Sequence, residues 1–79
     1  MSAPELFQQA RSLEGEGKVA EAVRAYRKAA QSGSGPAAKR LGEIYDKGQG
    51  DIGRDYQESL RWYEVARRAG QRVPIAKGR

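Results

Sequence analysis

The chain has 79 residues, a length that fits one small domain and leaves no room for a second independent core. It contains no cysteine, which excludes disulfides and thiolate metal sites, and no histidine, which removes the commonest general base and transition-metal ligand. Hydrophobic residues make up only 38% of the chain, but they recur at regular intervals, so we expect a thin core rather than disorder. We expect no metal, no cofactor and no enzymatic activity.

No stretch of the sequence approaches the roughly 18 apolar residues of a membrane span. The N-terminus also lacks the basic region and apolar run of a signal peptide. We therefore predict no membrane span. The location is open, and is expected to be cytoplasmic if the chain is complete.

The first half of the sequence predicts a pair of helices. The first is expected from Pro4 to Glu16, since proline is tolerated in a first turn. Its apolar positions are spaced by four and three residues, at Leu6, Ala10 and Leu13. Gly15 and Gly17 predict a stop. The second helix carries an apolar stripe and ends near Gly33; its stripe is Val19, Ala22, Val23, Tyr26, Ala29 and Ala30.

The second half predicts another pair with a longer connection. Ser34 followed by Pro36 is typical of a helix start, and this third helix is expected to end near Gly48. Three glycines between residues 48 and 53 predict a shaped loop. Asp55 is placed to cap the fourth helix, with Glu58 completing a capping-box pattern. Gly70 should end that helix, and residues 71–79 should form a flexible basic tail.

The two halves are copies of one unit. Four positions of the second helix recur 37 residues later in the fourth: Ala22, Tyr26, Ala29 and Gly33 become Ser59, Tyr63, Ala66 and Gly70. Three positions of the first recur 32 residues later in the third: Leu6, Ala10 and Leu13 become Ala38, Gly42 and Tyr45. The chain therefore divides into a repeat at 4–33 and a repeat at 36–70 with an inserted loop at 48–54. Small residues paired across each hairpin, Ala10 with Ala22 and Gly42 with Ser59, predict close helix crossings.

These residues resemble the tetratricopeptide repeat, and the second unit is similar to its Sel-like variant. The matching pattern is Leu41-Gly42-x-x-Tyr45-x-x-Gly48-x-Gly50-x-x-x-x-Asp55, followed by Ser59-x-x-Trp62-Tyr63-x-x-Ala66 and Gly70. The first unit is a weaker match. Ser59 and Arg67 depart from the family's usual alanines, which should loosen packing towards any following repeat.

The resemblance implies an all-α fold, with two antiparallel helix hairpins stacked as a short right-handed superhelix. It also implies a bacterial source and a non-catalytic adaptor or scaffold that binds a peptide or partner protein through its concave face. Carried over by position, that face would be lined by Phe7, Arg11, Glu14, Lys39, Glu43 and Asp46. The lysine and asparagine clamp that some members use for a terminal carboxylate is not evident.

Two units leave an apolar face uncovered, because such stacks usually need three or more. A partner protein, a second copy of the chain or neighbouring repeats of a longer parent would cover it. The aromatic residues are expected in the core, with a binding surface as the alternative; they are Tyr26, Tyr45, Trp62 and Tyr63. Phe7 lies off the apolar stripe of its helix, so a contact role there is an open alternative to packing.

A different function is suggested by the formal net charge of +5 and a C-terminal run of cations without an acid. That run comprises Arg67, Arg68, Arg72, Lys77 and Arg79. It could bind nucleic acid or an anionic surface, although a solvated end is the favoured interpretation because no aromatic is interleaved. An enzyme is the third alternative. The carboxylates that would serve it, such as Glu14, Glu16 and Glu21, are expected on solvated faces.

Overall fold

Four helices of 13 residues each form the framework of the computed structural model, which describes residues 1–74. They are α1 (Ala3–Gly15), α2 (Val19–Gln31), α3 (Gly35–Lys47) and α4 (Tyr56–Arg68), and no strand occurs within these residues. Helix α1 packs on α2, α3 packs on α4, and α2 joins the two pairs by packing on α3. The fold is all-α and built from two antiparallel hairpins, which confirms the predicted class.

The helix starts follow local side-chain chemistry. Helix α1 begins one residue earlier than predicted, because Ser2 and Glu5 form a reciprocal capping box. Ser2 N donates to Glu5 Oε1 at 2.8 Å, and Glu5 N donates to Ser2 Oγ at 3.3 Å. The Ser34 hydroxyl caps α3 by accepting from Ala37 N at 3.1 Å, as its position before Pro36 indicated.

The capping box predicted at the start of α4 is only half formed. The Asp55 carboxylate accepts from Glu58 N at 3.1 Å, so Asp55 is the N-cap. The return bond from Glu58 is not made, because Asp55 N donates to the carbonyl of Tyr45 at 2.8 Å. Glu58 Oε1 accepts from Trp62 Nε1 at 3.1 Å instead. The prediction for Glu58 was therefore wrong, because its side chain holds the indole one turn further along the helix.

The glycine-rich loop between α3 and α4 is a tight turn. Gln49 and Ile52 exchange two backbone hydrogen bonds of 2.8 Å. Gly48 and Gly50 have φ angles of 78° and 56°, which glycine adopts without steric cost. A Cβ at Gly50 would lie 3.1 Å from Val19 Cγ2, so the loop reaches back to the start of α2. The inserted segment therefore adds contact between the two hairpins.

The core is thin and rests on small residues at the helix crossings. Ala10 and Ala22 are both 0% exposed, and Ser59 is 1% exposed. The Ser59 hydroxyl donates to the carbonyl of Gly42 at 2.8 Å, so it is satisfied inside its own hairpin. Ser59 is therefore part of the core of its own hairpin. The aromatics predicted for the core are buried, as expected: Tyr26, Tyr45, Trp62 and Tyr63.

The predicted C-terminal tail, residues 71–79, is only partly described by the structure. Residues 71–74 contain no helix, and Val73 packs against the core. Residues 75–79, with Lys77 and Arg79, lie outside the described residues. In the described part of the chain, none of the helices has the length and apolar character to cross a bilayer.

The close approach of α3 and α4 predicts a sharp difference between two Gly→Ala variants. A Cβ at Gly42 would lie 2.5 Å from Cδ1 of the Tyr63 ring, whereas a Cβ at Gly15 would meet nothing within 4 Å. We expect Gly42→Ala to lower the free energy of unfolding by about 1–3 kcal/mol through overpacking. Gly15→Ala should leave it unchanged or raise it by up to about 1 kcal/mol, because alanine favours helix. Urea denaturation of both variants tests this, and equal effects would contradict the close crossing.

Candidate functional site

A groove of about 460 Å³ runs between α1 and α3 and is closed at one side by the glycine-rich loop. We call it the Phe7 groove. Its lining is Phe7, Arg11, Glu14, Gly15, Tyr26, Arg40 and Gln49. Both hairpins contribute to this lining, since Arg40 and Gln49 follow the connection between α2 and α3. The shape of the groove therefore depends on how the hairpins are held together.

The carboxylate of Glu14 lies at the centre of the contacts between the hairpins. Its Oε1 accepts from the Tyr26 hydroxyl at 2.6 Å and from Arg40 Nε at 3.1 Å. Its Oε2 accepts from Gln49 Nε2 at 2.9 Å, from Arg40 Nε at 3.1 Å and from the Arg40 Nη2 group. The side chain is 15% exposed. The expectation that Glu14 is solvated was wrong, because it faces the buried side of α1, one turn after Ala10.

Arg40 is held on more than one side. Besides Glu14, its Nη1 donates to Glu43 Oε1 at 3.0 Å, and its Nη2 donates to Gln49 Oε1 at 3.2 Å. The guanidinium thus bridges a carboxylate of the first hairpin and two side chains of the second. Charge-assisted, multiply bonded pairs of this kind are stronger and more directional than neutral hydrogen bonds.

The bonding around Glu14 fixes its protonation state. The hydrogen bonds from Arg40 lower the pKa of Glu14 to about 2, and those from Tyr26 and Gln49 act in the same direction against the opposing effect of burial. Burial and the neighbouring Glu14 raise the pKa of Tyr26 above its ordinary value. The hydrogen bond to Glu14 raises the pKa of Arg40. At neutral pH, Glu14 is an ionised acceptor and a weak base.

Phe7 and Arg11 form the open wall of the groove on α1. The Phe7 ring is half-buried and packs against Tyr26, with centroids 5.9 Å apart and an angle of 51° between the rings. The Arg11 guanidinium carbon lies 5.9 Å from the Phe7 centroid, within the range of a cation–π contact. Phe7 therefore has a packing partner and also a surface that faces the groove.

The structure places three of the six sequence-predicted residues in the lining of the Phe7 groove and three outside it. Phe7, Arg11 and Glu14 line the Phe7 groove together. Glu43 contacts it indirectly, through Arg40, while Lys39 and Asp46 are partly buried on α3 outside its lining. Burial raises the pKa of Tyr63, and the negative charges of Asp46 and Glu43 act in the same direction.

Two important groove residues, Arg40 and Gln49, were missed at the sequence level. The sequence does carry a signal for Arg40, because Glu43 follows it at i+3 and can form an ion pair with it. Glu14 also lies four residues after the buried Ala10, a position at which a carboxylate needs a hydrogen-bonding partner. Gln49 carries no such signal. Its side chain is placed by the fold of the glycine-rich loop.

The basic C-terminal run is partly neutralised. The Glu64 carboxylate accepts from Arg67 Nη2 at 2.6 Å and from Arg68 Nε at 3.0 Å. These hydrogen bonds, with Arg67 as the larger cause, lower the pKa of Glu64 to about 2. The three side chains are exposed enough that this cluster is worth little to stability. Glu64, the acid that partly neutralises the basic run, lies just before Arg67 in the sequence.

Comparison of the chain with protein-family models, curated proteins and solved structures gives no match.

The Glu14 contacts predict a specific pH dependence of stability. Because the folded-state pKa of Glu14 lies near 2, below its ordinary value of 4.5, its stabilising effect should be complete above pH 4.5 and lost as the pH falls towards 2. Glu14→Gln, which mimics the protonated side chain, should lower the free energy of unfolding at neutral pH by about 1.5–3 kcal/mol. The gap between the two proteins should close between these pH values.

Glu64→Gln is the matched control for this measurement. It removes a carboxylate whose pKa is also lowered to about 2, but one that is exposed and does not join the hairpins. Denaturant titrations from pH 7 to pH 2 should therefore show little change for Glu64→Gln at any pH. A gap for Glu14→Gln that is independent of pH would contradict the role assigned to its charge.

Proposed function

We propose that the chain is a non-catalytic protein-interaction module of the tetratricopeptide-like, Sel-like kind. It binds a peptide, or an extended segment of a partner protein, in the Phe7 groove. Two observations support this proposal. The first is the sequence pattern of two repeated helix hairpins, and the second is the groove between the first helices of those hairpins.

The position of Phe7 carries the proposal. Four of the aromatic side chains are buried, whereas Phe7 is half-buried: it packs against the core and also lines an open groove beside the exposed Arg11. Aromatic and arginine side chains are the residue types enriched where protein interfaces gain most of their affinity. An aromatic ring that is already held in place by Tyr26 would lose little conformational entropy on binding.

The chemistry of the groove also favours binding over catalysis. Its one carboxylate, Glu14, is saturated by hydrogen bonds and has a pKa near 2, so it is poorly suited to accept a proton at neutral pH. The hydroxyl of Tyr26 is engaged with that carboxylate, and its raised pKa makes it a weak acid. These groups stabilise the groove and leave its outer wall free for contacts.

The alternative, an anionic ligand held by the basic C-terminal run, has less support. Arg67 and Arg68 are both paired with Glu64, so their charge is partly cancelled where the run begins. Binding there would show a steep salt dependence and would be lost on removal of residues 71–79.

Selection from a library of random displayed peptides tests the proposed function, because it does not require the natural partner. We expect the chain to enrich peptides that bind in the groove. Phe7→Ala should weaken their affinity at least about tenfold, the equivalent of about 1.4 kcal/mol. Gln8→Ala, an exposed change on the same helix outside the groove lining, should leave it unchanged. Circular dichroism and the urea midpoint confirm that each variant is folded.

Failure to enrich any peptide, or enrichment of peptides that bind both variants as well as the original chain, would contradict binding in the Phe7 groove.

A further inference from the structure

The Phe7 ring separates two hollows of different chemistry. On one side lies the Phe7 groove, with its charged residues. On the other lies a hollow of about 360 Å³, here called the apolar hollow, whose walls include Pro4, Phe7, Pro36 and Ala69. Within residues 1–74, the lining of the apolar hollow carries no charge and is mostly apolar, with Ser34 and Gln71 as its polar side chains. Because Phe7 lines both, a ligand that covers this ring meets an uncharged, mostly apolar surface at one end and a charged surface at the other.

The charges of the Phe7 groove are unequally available to a ligand. Glu14 is bonded to Tyr26, Arg40 and Gln49, and Arg40 is bonded to two carboxylates. Arg11 is exposed and makes no hydrogen bond or ion pair with any residue between 1 and 74. Its guanidinium rests over the Phe7 ring, which orients the group and leaves its donors unused. The groove therefore offers one accessible cation, while its own carboxylate is already neutralised.

We propose that the ligand of this site is an extended peptide segment in which an apolar side chain lies a few residues from an acidic one. The apolar side chain occupies the apolar hollow between Pro4 and Pro36. The acidic side chain pairs with Arg11 in the Phe7 groove. This inference rests on the proposed function and adds the chemical class of the partner.

Guanidinium and carboxylate groups match in both charge and hydrogen-bond geometry, since a guanidinium can bind both carboxylate oxygens at once. A basic ligand would face Arg11 without an available counter-charge, because Glu14 is occupied by Arg40. The same argument disfavours a purely apolar ligand, which would desolvate the guanidinium without replacing its hydrogen bonds. Charge complementarity therefore selects an acidic segment.

The competing occupant is a second copy of the chain. Its glycine-rich loop carries an exposed acid, Asp51, next to the partly buried Ile52, and so presents similar chemistry. The experiment must separate this self-association from the binding of a foreign peptide.

The sequences of the peptides enriched from the random library test the inference. We expect an excess of peptides with an apolar residue and an aspartate or glutamate within about four positions, the span of a short extended segment. Arg11→Glu should weaken the binding of these peptides by at least about tenfold and should favour versions in which lysine replaces the acid. Arg24→Glu makes the same charge change at an exposed position of α2 that lines neither hollow, and it should alter affinity less than twofold.

Each other outcome overturns the inference in a recognisable way. If peptides are enriched without an excess of acids, or bind Arg11→Glu unchanged, the inference fails while the proposed function stands. If no peptide is enriched, both fail. Light scattering of the unliganded chain tests whether a second copy of the chain occupies the site. A dimer that Arg11→Glu dissociates and Arg24→Glu does not would identify a second copy as the occupant and overturn the peptide assignment.

Discussion

The arrangement of the two hairpins depends on the hydrogen bonds that the ionised carboxylate of Glu14 accepts. This carboxylate belongs to α1, and it accepts hydrogen bonds from α2, from α3 and from the glycine-rich loop. Direct helix packing between the hairpins is mainly that of α2 against α3, with a further hydrogen bond from Arg27 Nη2 to the Tyr45 hydroxyl at 3.0 Å. In a thin core, a charge-assisted network of this kind adds orientation that alanine side chains alone cannot supply.

The same network shapes the groove. By engaging Arg40 and Gln49, Glu14 fixes the wall that the second hairpin contributes, and by engaging Tyr26 it fixes the ring against which Phe7 packs. The polar groups at the base of the groove are thus satisfied by one another. The side chains left for a partner are Phe7 and Arg11, both on α1. A rigid base with a small accessible rim is the arrangement that lowers the entropic cost of binding.

Much of the fold could be predicted from the sequence, because local signals and the internal repeat agree. The periodic apolar residues, the glycines after each helix and the small residues at the crossings determine four helices and their pairing. Two details of capping were not predicted correctly, at Ser2 and at Glu58. At Ser2 the spacing Ser2-x-x-Glu5 is itself a capping-box pattern that the sequence carries. At Glu58 the side chain bonds Trp62 instead, because the backbone N–H of Asp55 donates to the carbonyl of Tyr45.

The candidate site could be predicted only in part. Phe7, Arg11 and Glu14 share one face of α1, so their grouping follows from helical spacing. Their partners on the second hairpin depend on the angle between the hairpins and on the course of the glycine-rich loop. The sequence does not distinguish Arg40 from the adjacent Lys39, since either cation could have faced the groove. The position of the Gln49 side chain depends on the turn between Gly48 and Gly50. The burial of Glu14 therefore followed from tertiary contacts that spacing alone does not specify.

The most direct test of this account is a double-mutant cycle between Glu14→Gln and Arg40→Met, with the free energy of unfolding measured by urea denaturation at pH 7. If the pair joins the hairpins as described, the two changes should be strongly non-additive, with a coupling energy of about 1–3 kcal/mol. A coupling energy near zero would mean that the Glu14–Arg40 pair does not hold the hairpins together, and would contradict the central role given to the Glu14 carboxylate.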